Sequence, residues 1–166
     1  MSAMHPRQRA AVCTVAGLLL VGGAVVPADQ GGPESRLTPR EIGDVAQTGA
    51  GPGTAGLAGI RTTVLQGDPT KPGLYTIRLS IGPNTHIDAH SHRDERSATV
   101  VSGTWYFGYG DRFDATALKA LPPGSFYTEP AGRLHFAQTA AEPVVVHITG
   151  NGPTDTMYPQ PRPPGQ

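Results

Sequence analysis

Residues 86–111, HIDAHSHRDERSATVVSGTWYFGYGD, set three histidines directly ahead of a run rich in β-branched and aromatic residues. In an extended chain, side chains two apart fall on one face. His90 and His92 in the HSH of this stretch can therefore point together to one side. Two imidazoles on one face are half of a metal site, and exposed histidines at that spacing also arise by chance.

The other half lies downstream, in EPAGRLHF, residues 129–136. Pro130 and Gly132 specify a tight turn, and His135 enters the next strand three residues after the glycine. Such a turn lets a distant strand deliver its imidazole opposite His90 and His92. Three neutral imidazoles converging inside a β-barrel can hold a divalent transition ion and leave positions open for water or substrate.

Outward from these motifs the chain reads as short strands. IRTTVLQ (60–66), GLYTIRLSI (73–81), SATVV (97–101), TWYFGYG (104–110), LHFAQT (134–139) and PVVVHIT (143–149) are each bounded by Gly, Pro, Asn or Asp. Closely spaced strands broken by turns predict an all-β sandwich or small barrel. Residues 114–121, DATALKAL, are the one stretch of this region that reads as helical, with Asp114 as N-cap and Pro122–Pro123 as the stop. Trp105, Tyr106, Phe107, Tyr109 and Phe126 are read as barrel packing, His147 as structural and His86 as a loop histidine.

Taken together, Gly82, His90, His92, Glu95 and Gly103 in GPNTHIDAHSHRDERSATVVSG, followed by Pro130, Gly132 and His135, resemble the two motifs of the cupin superfamily. The resemblance covers about residues 60–150, and the run from Val100 to Phe136 is similar to a group of small bacterial cupins with exported members. It implies a double-stranded β-helix, or jelly-roll barrel, often paired as a homodimer. It also implies a divalent transition metal (Fe, Mn, Ni or Zn) on His90, His92 and His135.

Two departures from the motif bear on the site. The interval from Gly82 to His90 is long, so the loop before the ligands is reshaped, with His86 nearby. The position four after the second histidine, where cupins commonly place a ligand glutamate, is Arg96, and Glu95 stands one earlier. A one-residue slip reverses the face of a strand. Glu95 is thus the expected fourth ligand if the loop around it bulges. Otherwise Arg96 faces the interior, where a guanidinium would suit an anionic substrate. Glu129, beside Pro130, is a second acid expected near the site.

The rest of the chain bounds the function. Its 166 residues make one domain's worth, and 13 basic against 13 acidic residues give no footprint for nucleic acid. Residues 1–28 read as an export signal: Arg7 and Arg9, then the apolar AAVCTVAGLLLVGGAVV, then Val26 and Ala28 before a cleavage point. Cleavage there would remove Cys13, the only cysteine, and leave an exported, periplasmic or secreted chain with no stable membrane insertion. Retention of the run as an anchor is the alternative. Residues 29–59 read as a flexible linker in which Thr38–Pro39 starts one short helix through Ala46, residues 60–152 as the barrel, and 153–166 as a Pro-rich tail. No phosphate-binding glycine loop, nucleophile elbow or dinucleotide fingerprint is present.

Two functions are then open. One is a metal-dependent dioxygenase, isomerase or lyase acting on a small organic molecule. The other is a cupin that binds or senses a small ligand or metal without turnover.

Overall fold

The computed structural model describes residues 34–159. The expected export signal, residues 1–28, lies outside them. Two antiparallel sheets face each other, built from β1 (Ile60–Gln66), β2 (Gly73–Ile81), β3 (His86–His90), β4 (Arg96–Ser102), β5 (Trp105–Tyr109), β6 (Lys119–Leu121), β7 (Phe126–Glu129), β8 (His135–Gln138) and β9 (Val144–Gly152). One sheet has the order β1-β2-β9-β4-β7 and the other β3-β8-β5-β6.

Alternation in the sequence sets which side chains form the core. Tyr75, Ile77, Leu79 and Ile81 of β2, Ala98 and Val100 of β4, and Val144, Val146 and Ile148 of β9 are buried, while most of the residues between them are partly or fully exposed. Trp105 and Phe107 of β5 and Tyr127 of β7 close the same cluster from other strands. Gly103, at φ 72°, makes the tight corner between β4 and β5. A Cβ there would meet the Pro143 carbonyl oxygen at 2.3 Å, so the corner needs glycine for space as well as for conformation.

The helix expected over residues 114–121 does not form. Asp114 does cap a turn, accepting from the Thr116 N–H at 2.9 Å, but the 3-10 turn spans only Ala115–Ala117. Lys119–Leu121 instead pair with β5, Leu121 opposite Trp105, because burying Leu121 against the barrel outweighs local helix preference. Near the N-terminus a six-residue helix, Pro39–Asp44, stands where one was expected, with Thr38 and Glu41 forming a reciprocal capping box.

Two segments outside the strands pack onto the barrel. Thr54 and Ala55 are buried, and Thr154 is buried beside them. Ser91 and Met157 exchange two backbone hydrogen bonds of 2.9 Å.

Candidate metal centre

The three motif histidines meet. The ligand-capable nitrogens of His90, His92 and His135 all lie within 4.8 Å of one another, and all three residues are buried. Each arrives by a different route. His135 opens β8 and stands opposite His90 of β3 in the ladder. Between Ile87 and His90 the register slips by one, a bulge that puts His90 on the same face as Ile87. His92 lies beyond the end of β3, so its inward aim does not come from strand alternation. The turn of the second motif ties the two halves together: Gly132, at φ 69°, donates its N–H to the His92 carbonyl at 2.7 Å, and Arg133 N–H closes on the Pro130 carbonyl at 2.9 Å.

The hydrogen bonds fix the state of each ring. Nδ1 of His90 bonds to the Asp88 carbonyl at 2.8 Å, Nδ1 of His135 to the Arg133 carbonyl at 3.0 Å, and Nδ1 of His92 to the Asp155 carbonyl. A carbonyl only accepts, so each Nδ1 carries the proton and each Nε2 presents a lone pair. Nε2 of His92 and Nε2 of His135 are buried with no hydrogen-bond partner. Burial holds all three rings neutral, pushing His90 down to about 3, His92 to about 2 and His135 in the same direction. Converging, neutral, unpartnered imidazole nitrogens fit a first-row transition ion, and buried polar atoms without a partner are otherwise costly.

The acid beside the histidines is Glu129. Its Oε2 lies 3.7 Å from His92 Nε2 and 3.6 Å from His135 Nε2. Burial raises the Glu129 carboxyl, but the Arg96 guanidinium outweighs it and holds the group down at about 2, so it is ionised. Arg96 is buried opposite it in the β4–β7 register and donates Nε at 2.8 Å, and Nη2, to Oε2, while Nη1 donates to the Gly53 carbonyl at 2.6 Å.

These placements settle the parity question raised by the sequence. Glu95, the expected fourth ligand, is exposed, and the strand begins one residue later with Arg96 turned inward. The histidine cluster does not include Glu95. Arg96 is the residue turned inward, and its Nε, Nη1 and Nη2 each donate to Glu129 or to the Gly53 carbonyl. His86 is also outside the cluster, paired with Asp88 at 3.1 Å and packed on Phe113. His147 is half-buried on β9, on the face opposite Val146 and Ile148.

Around the histidines the barrel is narrow. A cavity of about 30 Å³ is lined by His90, His135, Glu129, Ile87, Trp105 and Phe107, among others. That is room for one or two water molecules. Phe107 stacks on His135 at 5.3 Å and touches Tyr127 at 4.4 Å. The same two aromatic rings line, on their far side, a groove of about 410 Å³ with Tyr109, Lys119 and Phe126.

Solved structures share this architecture, and 298 chains match it. A polyketide cyclase from Streptomyces resistomycificus aligns at TM-score 0.60 and 15% identity, over 78% of this chain and 88% of that one. The chain has a cupin fold. A cupin-2 domain from Rhodospirillum rubrum aligns at TM-score 0.57 and 16% identity, over 79% of this chain and 83% of its own. A sugar phosphate isomerase of the cupin superfamily from Silicibacter pomeroyi aligns at TM-score 0.52 and 14% identity, over 67% and 73%. Against a chain described among DMSP lyases, this chain spans about half the length, 47%, at 24% identity and TM-score 0.47. No protein-family model matches the sequence, and no curated protein matches it.

What sequence reasoning missed here is the second layer. The Asp155 carbonyl and the Gly53 carbonyl come from segments with no motif, and a backbone acceptor leaves no mark on residue identity. Glu129, by contrast, stands near the site as its place beside Pro130 led the sequence to predict.

Proposed function

We propose that this cupin barrel binds one divalent transition metal through Nε2 of His90, His92 and His135, with Glu129 as the adjacent anion, and acts on a small organic molecule. The observation that carries this is the pair of buried, unpartnered Nε2 atoms of His92 and His135 beside His90. A bound metal would supply Lewis-acid polarisation of a carbonyl or enol or, if iron, oxygen chemistry. The chain's own part is to hold three neutral rings, to keep Glu129 ionised against Arg96, and to limit water at the site to what about 30 Å³ admits. The polyketide cyclase and the sugar phosphate isomerase among the structural matches support a small-molecule isomerase or lyase class. The amino-terminal sequence supports export.

A second reading is a barrel that holds metal without turnover. The size of the cavity favours it, because no substrate larger than a few atoms fits beside the histidines as they stand. Elemental analysis of the purified protein, followed by turnover assays on a carbonyl and enol panel, tests both. About one metal per chain with metal-dependent turnover supports the enzyme. Metal without turnover supports the second reading, and no metal overturns both.

A further inference from the structure

Two of the three candidate ligands are oriented by a carbonyl two residues earlier in the chain, and the third is not. His90 and His135 each direct Nδ1 to the carbonyl two residues earlier, Asp88 and Arg133. His92 has left β3, and its Nδ1 bonds instead to the carbonyl of Asp155, 63 residues away. That carbonyl lies in residues 154–158, a strap that follows β9.

The strap is pinned along its length. Thr154 N–H donates to the Pro69 carbonyl at 2.8 Å. The Asp155 carboxylate takes Arg93 N–H at 2.9 Å and Arg93 Nε at 2.7 Å. Thr156 Oγ1 donates to the Thr54 carbonyl, Met157 and Ser91 exchange backbone bonds, and Tyr158 donates its hydroxyl to the Ala55 carbonyl at 2.6 Å. The Tyr158 ring sits 5.5 Å from that of His90.

We propose that Asp155 is a positioning residue for the metal centre: its backbone carbonyl selects the Nδ1–H form of His92, and its carboxylate, clamped on Arg93, keeps that carbonyl in place. This rests on the metal reading of the site. Partners of this kind fix ring orientation and tautomer, and their loss typically weakens metal affinity about 10–100-fold. An unconstrained histidine side chain favours the opposite tautomer, whose protonated Nε2 has no lone pair to give a metal.

The test uses the full chain with Asp155→Ala and Met157→Pro combined. The first removes the clamp on Arg93, and the second removes the N–H given to Ser91. Cobalt(II) is the probe, its binding followed by visible absorption, and the imidazole ¹⁵N shifts of metal-free protein report the tautomer of His92. The expected result is at least a 10-fold weaker cobalt affinity in the variant, with His92 moving toward Nε2–H while His90 and His135 stay as Nδ1–H. Asp155→Asn, which retains an acceptor for Arg93, should restore much of the affinity lost in Asp155→Ala. A variant whose His92 keeps Nδ1–H and whose cobalt affinity equals the parent's overturns the proposal and leaves the metal site intact. Absence of cobalt binding in the parent overturns the metal reading, and the His92 tautomer in the variant then still decides whether the strap orients the ring.

Discussion

Arg96 stands directly opposite Glu129 in the β4–β7 ladder, and both side chains turn into the barrel, where they form a buried ion pair at the edge of the histidine cluster. Such a pair costs desolvation on both sides. Removing one member leaves the other as an uncompensated buried charge, at about 3–5 kcal/mol. Arg96→Met should therefore destabilise the metal-free protein by that amount, and Arg96→Met with Glu129→Gln by clearly less than the sum of the two single changes. Urea unfolding of the four proteins measures the coupling; additive losses would show that the two residues act separately.

Metal addition should stabilise the fold. Free metal at about 100 times its dissociation constant adds about 2.7 kcal/mol, visible as a higher Tm that a chelator reverses. His135→Ala should abolish the increment, since it removes one of three nitrogens held within 4.8 Å. An unchanged increment in that variant would place the bound ion elsewhere.

Glu95 gives a contrasting outcome. Its side chain is exposed and outside the cluster. Glu95→Gln should leave metal stoichiometry unchanged and stability within about 0.5 kcal/mol. Loss of metal in this variant would restore it to the ligand set.

The metal-free protein should be acid-sensitive above the usual carboxylate range. Burial depresses the three histidines, His90 to about 3 and His92 to about 2. Below their ordinary value near 6.5 the unfolded chain therefore takes up protons that the folded chain refuses. Stability falls as pH drops from about 6.5, with a slope of up to about 1.4 kcal/mol per pH unit for each histidine. Glu129, depressed to about 2, adds stability that is complete above about 4.5 and is lost only as pH falls toward 2. Thermal unfolding between pH 4.5 and 7.5 isolates the histidines. His90→Gln should flatten the slope by one proton, and an identical slope would mean that His90 is not held neutral.

Gly150 on β9 faces the Tyr75–Asp94 hydrogen bond, 2.6 Å long, and a Cβ there would meet both of its oxygens at 2.6 Å. Gly150→Ala should destabilise by about 1–3 kcal/mol through overpacking. Tyr75→Phe combined with Gly150→Ala should recover part of that loss, as read by chemical denaturation.

The sequence displayed the strands and the histidines for the same physical reason: both depend on local patterns. Alternation in GLYTIRLSI and PVVVHIT places the core, and HSH with PAGRLH marks the three nitrogens. Where a single residue of offset decides the outcome, the pattern is silent. The slip between Ile87 and His90 turns His90 inward, and the start of β4 turns Arg96 in and Glu95 out. Lys119–Leu121 became a strand because a non-local partner, β5, was available to a segment with moderate helix preference. The strap was illegible for another reason, since its contacts run largely through backbone carbonyls and N–H groups that every residue type possesses.

The position of β9 carries a consequence for assembly. Val144–Gly152 pairs with both β2 and β4, so the last strand among the described residues is the middle of its sheet. Until that strand arrives, β1–β2 and β4–β7 are separate ribbons with no common ladder. Barrels dominated by such distant pairings fold on the order of milliseconds to seconds, and here closure must wait for nearly the whole described chain. His92 takes its Nδ1 partner from Asp155, beyond β9, so a growing or partly unfolded polypeptide has no finished nest of imidazoles to offer. An ion held by these imidazoles would then be taken from whatever surrounds the chain once its sheets have closed.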